Sequence, residues 1–208
     1  MAGKLSSPPT ETVFRDAPYT RSCDARIVAV NEMGGIVLDR TVFYATGGGQ
    51  PGDRGFLRTP DGQSVEIITT VKGREEDGGP DVLVHVPAEG QVLLKPGANV
   101  QAEIDWERRH KLMRVHTCLH LLSAVVPFPV TGGQVNDGKG RLDFAIPENN
   151  LNKEEITAEL NRLIETDSPV GDNWITDDEL AANPDLVKTM SVQPPSGAGR
   201  VRLIRIEG

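Results

Sequence analysis

Two histidines four residues apart, His116 and His120, are the side chains in this sequence best suited to chemistry. In a helix that separation is about 400° of rotation, so both imidazoles project from nearly one face on successive turns. Neutral imidazole nitrogens placed this way can bind one zinc ion at about 2.0–2.1 Å. The same spacing also arises by chance on a helix surface, so the pair alone leaves both readings open. A zinc-protease reading fails, because Thr117 stands where that motif needs a glutamate base. Cys118 lies two residues from each histidine, on the opposite side of such a helix, and reads as a small core residue. His110 points elsewhere, and His85, within VLVHV, reads as a strand residue. Neither joins the metal set.

Upstream, three glycines at 47–49 precede Gln50 and Pro51. Glycine permits backbone geometry and close approach that a Cβ would block. One reading makes Gly48 and Gly49 a backbone wall of a substrate pocket, with the Gln50 amide as donor and acceptor. The other is a tight turn between strands, which the residue types alone favour. No Gly-Lys-Ser/Thr follows, so the stretch is not a phosphate-binding P-loop. Arg108, Arg109, Lys111 and Arg114 form a basic cluster beside the histidines. Such a cluster can meet the phosphate of an RNA end, or it can be a solvated helix face paired with Glu103 or Glu107. Arg200, Arg202 and Arg205 stand under the same pair of readings. No Asp or Glu stands out as a general base.

The helix that must carry the histidines is well marked. Asp105 is a good N-cap, and residues 106–126 contain neither Gly nor Pro. Leu112, Val115, Leu119, Leu122 and Val126 follow a three-four spacing, which predicts one apolar stripe over about five turns. Before this helix the chain reads as strands at 26–30, 36–39, 41–44, 56–58, 64–71, 82–86 and 100–104, separated by Gly- and Pro-rich turns. Short strands at such spacing predict a small barrel or sandwich over residues 1–104. Beyond the helix, Gly132, Gly133, Gly138 and Gly140 bracket a predicted turn region before a strand at 141–146. Ile156, Leu160, Leu163 and Ile164 predict a helix over 153–165, and Thr176 with Glu179 a capped short helix that Pro184 limits. Residues 200–206 are strongly β-prone, so the second half, 105–208, reads as α+β.

Composition is that of a globular protein, 38% hydrophobic and 25% charged over 208 residues. Only 4% is aromatic, which predicts a core of Val, Leu, Ile and Ala. No apolar run approaches the roughly 20 residues that span a bilayer, and the N-terminus carries no signal-like apolar stretch. Cys23 and Cys118 lie too far apart to suggest a disulfide framework. A cytoplasmic location without membrane contact is expected. Formal net charge is −8, so any nucleic-acid contact must rest on a local basic surface.

Residues 43–53 (FYATGGGQPGD) and 114–122 (RVHTCLHLL) together resemble the paired motifs of alanyl-tRNA synthetase editing domains and of their free-standing relatives, the AlaX proteins. The first is similar to the family's F-Y-x-x-G-G-G-Q-P-x-D stretch, the second to its H-x-x-x-H zinc motif. Residues 202–208 (RLIRIEG) resemble the strand that precedes the family's last motif. The order and spacing of the three segments extend the resemblance over nearly the whole chain.

The resemblance implies an α+β fold: a small β-barrel domain, 1–104, before an α+β editing domain like that shared by threonyl- and alanyl-tRNA synthetases, 105–208. It also implies a zinc ion held by His116 and His120, and it turns the reading of Gly48, Gly49 and Gln50 toward substrate binding. The implied activity is an aminoacyl-tRNA deacylase acting in trans on Ser-tRNA or Gly-tRNA specific for alanine, at an acceptor end carrying a wrong amino acid. The family completes its zinc site with a C-x-x-x-H motif beyond the IEG segment, and none occurs in these 208 residues. An editing domain continued past Gly208 is therefore expected, as is a free-standing editor, since barrel strands open the chain. A noncatalytic RNA- or partner-binding module with a decayed editing fold is the competing expectation, supported by the acidic charge and the missing motif.

Overall fold

The computed structural model describes residues 9–73, 82–92, 94–148, 151–186 and 199–207. Its elements in chain order are β1 (Glu11–Thr12), α1 (Val13–Asp16), β2 (Ser22–Val30), β3 (Ile36–Leu38), β4 (Arg40–Thr41), β5 (Gly55–Arg58), β6 (Ser64–Gly73), β7 (Val82–Pro87), β8 (Asn99–Ile104), α2 (Trp106–Val125), β9 (Val130–Asn136), β10 (Lys139–Phe144), α3 (Lys153–Glu165), β11 (Val170–Thr176), α4 (Asp177–Ala182), a 3₁₀ turn (Pro184–Leu186) and β12 (Arg200–Ile206). Two compact units, Met1–Leu112 and Met113–Gly208, divide the chain within α2.

In the first unit, buried and exposed residues alternate along β5, β6 and β8, while all of β3 is buried, and the strands close on their apolar side. The order is β2-β3-β7-β6-β5-β8, a closed barrel with antiparallel neighbours. Ile27, Leu38, Leu57, Val65, Ile67, Val100 and Ala102 fill it, with Val42 and Phe43 from the segment after β4. Irregularities in the ladder between Ile27 and Ala29, and between Ile67 and Thr69, give the bends that closure needs. The small barrel expected from the strand spacing is present. Residues 41–44 differ from their expected strand, which stops at Thr41. Their backbone donors turn to side chains instead: Phe43 N–H to Thr41 Oγ1 at 3.0 Å and Tyr44 N–H to the Asp53 carboxylate at 2.8 Å.

In the second unit, the glycines taken for a turn region lie within a hairpin. Gly132 and Gly133 belong to β9, which pairs antiparallel with β10, and only Asp137 and Gly138 turn the chain. Glycine serves close approach here: a Cβ on Gly140 would meet Val115 Cγ1 at 2.8 Å and the Leu119 methyls at 2.9 and 3.0 Å. β10 therefore lies directly against the apolar stripe of α2 at Val115 and the buried Leu119. The predicted helix at 153–165 is α3, capped by Asn152, whose side chain accepts from Glu154 N–H and Glu155 N–H. Thr176 and Glu179 form the expected capping box at α4. The β-prone segment 200–206 is β12, and its antiparallel partner is β11, a strand whose Gly171, Asp172 and Asn173 mask it in the sequence. No helix among the described residues is long and apolar enough to cross a membrane.

Candidate functional site

The glycine-rich segment is a clamped hairpin in the first unit. Gly47 and Gln50 exchange both backbone hydrogen bonds, at 3.1 and 3.0 Å, around Gly48 and Gly49, whose φ values are +55° and +76°. Two consecutive positive φ values are what a two-residue type I′ turn requires, and glycine meets that without a Cβ clash. Lower in the hairpin, Asp53 N–H donates to Tyr44 O at 2.8 Å, and the Tyr44 hydroxyl donates to Gly47 O at 2.8 Å. Gly52 must be glycine for another reason, since a Cβ there would sit 1.9 Å from Thr70 O. The tip, Gly48 and Gly49, is exposed, whereas Gln50 is only 4% exposed.

A buried ion pair holds this hairpin to α2, and a buried histidine ties the strand that precedes it into the barrel. Asp53 and Arg109 are 1% and 3% exposed and form an ion pair, with Arg109 Nε donating to the carboxylate at 2.8 and 3.0 Å. Arg109 Nη2 also donates to Val42 O at 2.7 Å, and Arg108 Nη1 to Gly52 O at 3.0 Å. On the barrel side, the fully buried His85 bridges two strands. Its Nδ1 donates to Ile36 O at 3.0 Å, which leaves Nε2 to accept from the Thr41 hydroxyl at 2.8 Å. Burial pushes its pKa down to about 4, so the ring is neutral at pH 7, with Phe43 edge-on at 5.1 Å.

These contacts correct one expectation. Arg109 belonged to the basic cluster expected to meet RNA phosphate, but its guanidinium is enclosed and satisfied by Asp53 and Val42. Arg108 is half-buried, and Lys111 and Arg114 are exposed on α2. Asp53, the partner that fixes Arg109, carried no role in the sequence reading. An aspartate closing a glycine-rich segment and an arginine opening a helix were the available signal, but they lie 56 residues apart.

In the second unit, α2 brings the two expected metal ligands together. The His116 and His120 rings lie 5.0 Å apart, centre to centre, at an interplanar angle of 14°. His116 is half-buried, and burial together with the neighbouring His120 holds its pKa down at about 4. Two imidazoles at this separation have, in their neutral form, the donor type and the reach to share one borderline-soft cation such as zinc. Among the described residues no group of three or more His, Cys, Asp or Glu side chains could hold a metal ion. The pair thus fits as two ligands of a site that needs at least one more. Cys118 is half-buried, and burial raises the pKa of its thiol.

The wider relationships of the chain follow from its sequence as a whole. Residues 15–108 match the family described as tRNA synthetases class II (A). The alanyl-tRNA editing protein AlaX-M of Pyrococcus horikoshii is 35% identical over 173 residues, covering 79% of this chain and 74% of the relative. That of Methanosarcina acetivorans is 30% identical over 205 residues, covering 96% and 83%. The chain belongs to the alanyl-tRNA editing protein family. Alanine–tRNA ligases contain a matching region: that of Metallosphaera sedula is 39% identical over 156 residues, which cover 72% of this chain and 16% of the ligase. As a member of the alanyl-tRNA editing family, the chain thus corresponds to most of the free-standing proteins and to a small part of the ligases.

Proposed function

We propose that this chain is a zinc-dependent hydrolase that edits in trans, cleaving the ester that joins serine or glycine to tRNA specific for alanine. The observation that carries the reading is the His116–His120 pair, two stacked imidazoles one turn apart on α2. Membership of the alanyl-tRNA editing protein family supports a tRNA substrate for this reading. Such editing is needed because a synthetic site rejects a slightly different amino acid by only about 1–3 kcal/mol.

His116 and His120 would hold the ion as two of its ligands. Zinc, when bound, supplies positive charge at the ester carbonyl or at the amino group of the aminoacyl end. In the first unit, the exposed Gly48–Gly49 tip would offer backbone groups for substrate binding, with the buried Gln50 closing its turn. Lys111 and Arg114, exposed on α2, and the half-buried Arg108 are the members of the basic cluster left to meet acceptor-end phosphate.

The test is deacylation of Ser-tRNA specific for alanine by the zinc-loaded protein, with correctly charged Ala-tRNA as control. Hydrolysis of the first and sparing of the second are expected, with loss of activity in His116→Ala and His120→Ala. Exchanging the tRNA tests specificity for a different mischarged substrate. No hydrolysis by a zinc-loaded chain would leave the noncatalytic RNA- or partner-binding module in its place.

A further inference from the structure

Where β8 hands over to α2, in the first unit, four side chains form an aromatic and cationic cluster that the editing site does not use. Trp106 and His110, one helical turn apart, stack with ring centres 5.3 Å apart and an interplanar angle of 14°. Tyr19, from the segment before β2, lies 5.5 Å from Trp106 and 6.1 Å from His110. The Arg21 guanidinium sits over the Trp106 ring at 5.0 Å. Trp106 packs partly against the barrel core, which fixes it, while Tyr19 is 65% exposed.

Core packing does not account for Tyr19. The chain has only two tyrosines and two tryptophans, and one of each meets here at the surface beneath an arginine. Of the acids beside the cluster, Asp105 is engaged by Arg54 at 2.9 Å. A chain of net charge −8 cannot rely on diffuse attraction to phosphate, and stacking reinforced by a local cation gives a grip on nucleic acid that overall charge does not.

We propose that Tyr19, Trp106, His110 and Arg21 form a stacking platform for an unpaired nucleotide of the RNA substrate. Aromatic faces accept any base, and a guanidinium beside them takes the adjoining phosphate or extends the stack. The proposal rests on the tRNA reading above for the identity of the RNA.

A Trp174→Phe chain leaves Trp106 as the sole tryptophan, and its fluorescence can be titrated with uncharged alanine tRNA and with polyphosphate. Quenching by tRNA with little response to polyphosphate is expected. Tyr19→Ala should weaken tRNA binding roughly 5- to 100-fold, Tyr19→Leu should weaken it similarly, and Tyr19→Phe should retain it. Arg21→Gln should weaken binding and flatten its dependence on salt. Unchanged affinity in Tyr19→Ala, full affinity in Tyr19→Leu, or polyphosphate binding as tight as tRNA would each overturn the platform. Because uncharged tRNA is used, the two readings separate. Tyr19-dependent binding without deacylation removes the hydrolase and keeps the platform. Deacylation whose KM is unaltered in Tyr19→Ala removes the platform and keeps the hydrolase.

Discussion

Asp53 and Arg109 fasten the base of the glycine-rich hairpin to the opening of α2 through a buried ion pair. The same Asp53 carboxylate accepts the Tyr44 N–H, so one side chain fixes both strands of the hairpin and the helix beside it. A buried charge left without its partner is costly, whereas removing both charges together is not.

Arg109→Met should therefore destabilise the first unit by about 3–5 kcal/mol. The double variant Asp53→Asn, Arg109→Met should lose clearly less than the sum of the two single changes. Urea unfolding of the four proteins in the cycle measures the coupling, and strict additivity would show that the pair is not coupled.

His85 predicts a pH dependence of stability. Its folded pKa is about 4, and the unfolded value is the ordinary 6.5. Between these values the unfolded chain binds the extra proton, so acid favours unfolding. The contribution is fully present above about pH 6.5 and is lost as pH falls toward 4, in total about 3 kcal/mol. Stability measured from pH 7.5 to 4 should fall more steeply in the wild type than in His85→Gln, which lacks this titration. Parallel curves would assign the acid sensitivity to other groups.

The turn at Gly48–Gly49 allows a graded series. Alanine at either position adopts the left-handed region at a cost of about 1–2 kcal/mol, and asparagine at less. Gly49→Asn should thus be milder than Gly49→Ala in thermal unfolding. Gly52→Ala should be the most severe of the set, because its Cβ would overlap the Thr70 carbonyl and not merely strain a dihedral. Equal effects at 48, 49 and 52 would contradict these separate roles.

The barrel and α2 were legible in the sequence because both depend on local periodicity. Alternation marks Ser64–Gly73, and the three-four spacing from Leu112 to Val126 marks the helix and hence the histidine pair. The misread pieces depend on partners distant in sequence. Residues 42–44 look like a strand until Thr41 and Asp53 take their backbone donors. Gly132 and Gly133 look like a turn until Asp143 and Leu142 lie across from them. Arg109 looks like a surface cation until Asp53 encloses it. Side-chain type reports burial and period well, but it does not report which distant group will satisfy a donor or a charge.

Gly140 offers a way to move the histidine pair without touching it. Val115 and Leu119, the side chains a Cβ at 140 would strike, each immediately precede one of the two histidines on α2. A β-branched residue there must push β10 away from the helix or force both side chains off their rotamers, at about 1–3 kcal/mol. Gly140→Val should accordingly destabilise the second unit, seen as earlier urea unfolding. It should also broaden the ring signals of His116 and His120 in NMR spectra as their backbone loses its support. Leu142→Ala serves as the control, since it weakens β10 without driving atoms into the helix. If Gly140→Val shifted stability but left both histidine signals sharp and unmoved, the contact would be a packing detail of the hairpin and not a support for the pair.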